Sequence, residues 1–149
     1  TIRHEYGKAV FFAEYFPAIE DVLEKRHGLL SDPNIDLIQR LCELLGIEAA
    51  VVRASSLKAE GRLVELLVSL CEAVGADRYL SAAGSREYIE NDNLFARRSM
   101  DVVYHEYNHP TYRQLHGEFI PYLSVLDLLM NEGPGSLAII RSGRPGAVA

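Results

Sequence analysis

The chain has no tryptophan, two cysteines and two methionines, and it is short of positive charge, with 15 Lys and Arg against 21 Asp and Glu. The resulting net charge of −6 and pI near 5.3 exclude a protein that holds nucleic acid through a diffuse basic surface. Phosphate binding of that kind draws on clustered Lys and Arg. No apolar run approaches the roughly 18–20 residues that cross a bilayer, so membrane insertion is not expected. The opening residues Thr1-Ile2-Arg3-His4-Glu5 do not read as a signal peptide. No CxxC and no Cys/His ligand spacing occurs. Cys42 and Cys71 each fall inside a helical apolar stripe, which points to reduced core thiols in a cytoplasmic protein, with a disulfide or a reactive thiol as the alternative.

What remains is ordinary globular composition, 48% hydrophobic and 24% charged, enough at 149 residues for one domain with a real core. That domain is expected over residues 1–141, followed by a loose small-residue tail at 142–149. Apolar residues recur at helical spacing over 5–27, with Pro17 predicting a break near Phe16-Pro17. Asp32-Pro33 predicts a helix start, with Asp32 as the cap, and Gly46 its end. Strands are expected at Ile47–Ala54, Arg78–Ser81 and Met100–Tyr107, with helices at Gly61–Val74 and Arg86–Ile89 between them. Ser124 through Asp127 reads as a capping box opening a helix to Asn131. Helices alternating with strands give an α/β fold, a small, mainly parallel sheet flanked by helices, like half of a Rossmann fold. Right-handed crossovers would bring the strands' carboxyl ends to one edge.

Two clusters could carry chemistry. The first lies at the strand exits, Ser55-Ser56 and Ser81-Ala82-Ala83-Gly84-Ser85. Ligands of open α/β sheets bind outside the strands' carboxyl ends. Ser55, Ser56, Ser81 and Ser85 could bind a phosphate or carboxylate before a helix start, and Gly84 would let the backbone approach it closely. The alternative is that Ser and Gly merely form turns and caps. The second cluster is His109-Pro110-Thr111-Tyr112-Arg113-Gln114-Leu115-His116-Gly117-Glu118-Phe119. His109 and His116 are candidate acid/base groups, and Glu118 could pair with His116, since i and i+2 share a side of an extended segment. Tyr112 and Gln114 would orient a substrate. The alternative is a loop braced by its own hydrogen bonds.

His105-Glu106-Tyr107-Asn108-His109 matches the zinc-protease pattern H-E-x-x-H. That pattern needs a helix, whereas this segment reads as a strand running to a proline. Along an extended chain the two imidazoles would stand about 13 Å apart, too far to share a metal. A weaker metal site from His109, His116 and Glu118 is the remaining alternative; no resident metal is expected.

The stretch His109-Pro110-x-Tyr112-x-Gln114-x-His116-Gly117-Glu118-Phe119 through Asn131-x-Gly133-Pro134 resembles the WbqC-like protein family. So do Arg78-Tyr79-Leu80-Ser81 with Ser85-Arg86-Glu87-Tyr88-Ile89, and more weakly Tyr6-Gly7-Lys8-Ala9, Asp32-x-Asn34 and Ser55-Ser56. The resemblance implies a transferase of bacterial cell-surface polysaccharide (O-antigen) biosynthesis, passing an amino-acid or acyl group to a sugar with a nucleotide or activated substrate. It also implies that Ser81, Gly84, Ser85, His109, Tyr112, Gln114 and His116 line a site for a small-molecule or sugar substrate. Family members carry an additional N-terminal strand and a His-Gln-Pro segment resembling an ATP-binding motif. The expectation is therefore a C-terminal part of that fold. The alternative function is a non-catalytic binding or homodimerising module, or an inactive fragment of a larger enzyme.

Overall fold

In a computed structural model residues 1–145 are described, and they gather into two compact units. One comprises residues 1–49 with those from 108 onward, the other residues 50–107. The first unit opens with α1 (Ile2–Tyr6), α2 (Phe12–Glu24) and α3 (Ser31–Leu45). The helix break expected at Phe16-Pro17 falls instead at residues 7–11, and α2 runs straight through Pro17. Proline removes one backbone hydrogen bond. Continuing the helix keeps Phe12, Tyr15, Phe16, Ile19 and Val22 on one buried stripe, and that burial outweighs the lost bond. α3 begins at Ser31 with Leu30 in the cap position. Asp32 thus sits within the first turn, facing the positive end of the helix dipole, and does not cap it as expected. Gly46 ends α3 in the left-handed region (φ 68°), and the Ile47 N–H closes back on the Cys42 carbonyl at 2.8 Å.

The strand expected at Ile47–Ala54 does not form. Residues 47–53 are irregular, Ala54–Ser56 make a 3-10 turn, and the sheet contains two strands. Val51 and Val52 stay 51% and 54% exposed, so pairing there would bury little, and the two alanines add weak strand preference. The second unit is built from α4 (Val64–Ala73), β1 (Arg78–Ala82), a 3-10 turn at Ala83–Ser85, α5 (Arg86–Asp92), α6 (Leu94–Arg97) and β2 (Asp101–His105). The strands are parallel, with Leu80 opposite Val103 and Ala82 opposite His105, a single crossover unit. This is a small α/β fold with a parallel sheet flanked by helices. Val64, Val68, Cys71, Ile89, Phe95 and Met100 form its core. The other face of the sheet is open, with Leu80 61% and Val103 41% exposed. Both cysteines are free thiols; Cys71 is buried and Cys42 half-buried.

Beyond β2, residues 106–124 contain no helix or strand, and the first unit resumes with α7 (Val125–Glu132), a 3-10 turn at Gly133–Gly135 and α8 (Ser136–Ser142). Leu129 and Met130 are fully buried against the α2 stripe. The Phe11 N–H donates to the Met130 carbonyl at 3.0 Å. Gly133 has φ +49°, and a Cβ there would lie 2.5 Å from the Phe11 ring. Only glycine satisfies both the backbone and the ring. The start of the tail is held, since the Asn108 N–H donates to the Gly143 carbonyl at 2.9 Å; residues 146–149 of the expected loose tail lie outside the described residues.

Candidate functional site

The loop after β2 is ordered by its own polar side chains. The Tyr122 N–H donates to His109 Nε2 at 3.2 Å, so Nδ1 carries the proton shared with the Pro110 carbonyl at 2.9 Å. The His109 ring also packs on Tyr112, Phe119 and Tyr122, with centroids 6.4, 5.9 and 4.8 Å away. The Gln114 amide clamps the Ile120 backbone both ways, donating to its carbonyl at 2.9 Å and accepting from its N–H at 2.8 Å. These two candidate residues bind the loop to itself.

His116 differs. It is exposed, and one ring nitrogen, Nε2, bonds the Glu5 carbonyl at 3.2 Å. A carbonyl only accepts, so Nε2 carries a proton, and Nδ1 is the nitrogen left over, which in the neutral ring has the lone pair of an oriented base. The extended run expected at 116–118 is a bend, with Gly117 at φ +61°. Glu118 is exposed two residues on. Glu5 is held below the usual carboxylate range, chiefly by its hydrogen bond from His4, with a smaller contribution from the charge of His116.

The most buried ionisable group in this region is one that sequence reasoning missed. Asp127, on α7, is 4% exposed and accepts from the Tyr112 hydroxyl at 2.8 Å. Asn131, one turn later, donates to the Asp127 carbonyl at 2.8 Å and to its carboxylate at 3.3 Å. Burial pushes Tyr112 up to about 12, and the bond and charge of Asp127 add to the rise. Burial likewise raises Tyr6, again with Asp127 contributing. Ser124 does cap α7, accepting from the Leu126 N–H at 3.3 Å. The other half of the expected capping box is diverted, because Asp127 bonds the loop. The available signal was a lone Asp inside Val125-Leu126-Asp127-Leu128-Leu129-Met130, four residues before Asn131 and so on the same helix face. Glu132 extends the pattern by accepting from the Arg113 N–H at 3.0 Å.

In the second unit the hydroxyls of the β1 exit turn inward. Ser81 and Ser85 are buried and bond each other at 2.5 Å, and Ser85 donates on to the Ala82 carbonyl at 2.6 Å. Gly84 is exposed, has no positive φ, and would place a Cβ in open space. Neither backbone nor packing requires glycine there. Ser55 and Ser56 are exposed in the 3-10 turn; the Ser56 hydroxyl donates to the Arg53 carbonyl at 2.7 Å. They follow no strand, and α4 starts only at Val64, so the helix start expected behind them is absent.

Among the described residues no group of three His, Cys, Asp or Glu side chains could hold a metal ion. β2 ends at His105 and residues 106–109 are not helical, so the H-E-x-x-H match has no common helix face. Among the described residues no helix is long and apolar enough to cross a membrane.

Comparison with known proteins gives a consistent picture. The WbqC-like protein family matches residues 1–139. The uncharacterized protein Rv1507c of Mycobacterium tuberculosis is 31% identical over 135 residues, covering 89% of this chain and 58% of that protein. The chain thus spans somewhat over half the length of this curated relative. No solved structure matches.

Proposed function

The chain belongs to the WbqC-like protein family, and from that premise we propose that it is a transferase of bacterial cell-surface polysaccharide (O-antigen) biosynthesis, passing an amino-acid or acyl group to a sugar. The observation that carries this reading is His116, an exposed imidazole oriented by the Glu5 carbonyl with one nitrogen left to take a proton. His116 Nδ1 removes the proton from the attacking sugar hydroxyl or amine as the new bond to the acyl carbon forms, and the activating group leaves. Glu118, beyond the bend at Gly117, is the weaker catalytic candidate. His109, Tyr112 and Gln114 act as positioning residues, because their polar atoms are spent on the loop and on Asp127. Within the second unit taken by itself, the uncrowded Gly84 backbone at the β1 exit is separately proposed as a contact for a nucleotide or other activated compound. Ser81 and Ser85 shape that turn, while Ser55 and Ser56 are the weaker candidates for contact. The proposed compartment is the cytoplasm, supported by the free thiols.

A panel of nucleotides and nucleotide-sugars, followed by melting temperature, tests the proposal. The expected result is a saturable rise with at least one nucleotide-sugar and its reduction in His116→Ala. The open sheet face at Leu80 and Val103 favours a second reading, a self-associating module. A flat response to the whole panel, with a concentration-dependent dimer, would select it.

A further inference from the structure

The helix α1 is not stabilised by its own sequence. It has five residues, Thr1 supplies no side-chain cap, and none of the five is fully buried. Helices under about 12 residues are marginal on their own, so the place of α1 on the first unit depends on a few contacts. Ile2 and Tyr6 pack in part against the core formed by α2 and α7. One guanidinium nitrogen of Arg3 reaches both carboxylate oxygens of Glu20, on α2, at 2.6 and 2.7 Å. The same guanidinium lies 4.9 Å from the centre of the Phe16 ring.

The loop that carries the candidate base meets this helix at its end. His116 Nε2 bonds the Glu5 carbonyl at 3.2 Å. Tyr6, one residue on, shares Asp127 with Tyr112: beyond burial, that carboxylate helps raise both phenols. Leu115, beside His116, packs against the same core as Ile2 and Tyr6. The carbonyl that orients the His116 ring therefore sits on a helix held largely from the surface. Arg3 and Glu20 are 64% and 31% exposed, and a pair of that kind is weak enough to open without disturbing the core.

We propose that α1 is a clip that switches His116, and that Arg3 is the positioning residue that latches it. With Arg3 on Glu20, the Glu5 carbonyl meets Nε2 and the ring is held in one orientation. With α1 lifted, the imidazole loses that partner and the orientation with it. The inference rests on the reading of His116 as the base for its consequence in catalysis. Arg3 acts through His116 and touches no substrate.

The test follows the His116 ring by NMR in the whole chain, without ligand. The parent is expected to show cross-relaxation between the His116 ring and the protons of Glu5 and Tyr6. Arg3→Glu sets two like charges together and should abolish it, while the melting temperature falls by no more than about 3 °C, the worth of one exposed pair. Adding Glu20→Arg to Arg3→Glu re-forms the pair with its ends exchanged. It should restore the ring contacts in part, the stacking on Phe16 being lost, and a general loss of stability would not be repaired in this way. The nucleotide-sugar panel, run on the same chains, keeps the two readings apart. A response lost in Arg3→Glu and regained in the exchanged pair supports both; no response from the parent removes the transferase reading, and the ring contacts still decide the clip. The clip is overturned if Arg3→Glu keeps the contacts of His116 with Glu5 and Tyr6, or if the exchanged pair restores none of them.

Discussion

The two chemistry-bearing turns of this chain spend their polar groups differently. The loop after β2 ties its side chains to its own backbone and to α7: His109 to Pro110 and Tyr122, Gln114 to Ile120, Tyr112 to Asp127. The turn after β1 folds its hydroxyls inward and leaves a glycine with space around it. In the first, the group left over is His116. In the second, what is left over is backbone that something else can approach. Residue type nominated both clusters; which atoms are already bonded decides what each can do.

The sharpest way to break the first unit lies outside the loop that it braces. Gly133→Ala forces a left-handed backbone on alanine and drives its Cβ to within 2.5 Å of the Phe11 ring. Strain and overpacking together are expected to cost about 3 kcal/mol, read as a lower urea midpoint at unchanged slope. An alanine variant as stable as the parent would mean that Phe11 moves freely, and the packing of α2 against the α7 terminus would have to be redrawn.

Asp127→Ala comes next. It strands the Tyr112 hydroxyl and one Asn131 donor in a buried setting, for a loss of about 2 kcal/mol. Asp127→Asn keeps an acceptor and should lose less. Because Asp127 helps raise both phenols, each variant should let Tyr6 and Tyr112 ionise at lower pH, which absorbance at 295 nm follows directly. Unchanged tyrosine titration in Asp127→Ala would separate the carboxylate from the loop.

A pH series sharpens the same point with a smaller effect. Tyr112 is raised from 10 to about 12 in the folded chain. Below pH 10 both folded and unfolded chains keep the phenol neutral, and its contribution is whole. Between pH 10 and 12 the unfolded chain ionises first, so stability falls as pH rises. Tyr112→Phe should make that decline shallower, as measured by urea midpoints across the range. An identical slope would place the alkaline loss in the other raised tyrosines, Tyr6, Tyr15, Tyr104 and Tyr107.

Much of this was legible in the sequence, and for local reasons. Gly46 marks a helix end because left-handed caps favour glycine, and it takes φ 68°. The β1 and β2 segments carry enough β-branched and aromatic residues to be recognised. Ile47–Ala54 misled because a few β-branched residues alone do not supply a neighbouring strand or an apolar surface. Pro17 misled because a packed face overrides a propensity. Asp127 was hidden by a pattern that also fits a helix cap, and only the distant Tyr112 distinguishes the two. Nothing in residue type separates His116 from His109; that difference rests on a carbonyl more than a hundred positions earlier in the chain.

The smallest expected effect carries the most information about the β1 exit. Gly84→Ala meets no atom within 4 Å and needs no unusual backbone angle, so stability should change by less than about 0.5 kcal/mol. A glycine that the fold does not need is explained if a ligand must come close to its backbone, where a methyl group would stand in the way. The variant should therefore melt with the parent while losing the stabilisation that a nucleotide-sugar confers. Ser85→Ala makes the matching control, since it removes an inward hydroxyl bonded to Ala82 and Ser81 and should lower the melting temperature with or without ligand. If Gly84→Ala keeps full ligand response, the β1 exit is an ordinary turn, and the search for the substrate contracts to His116 and its loop.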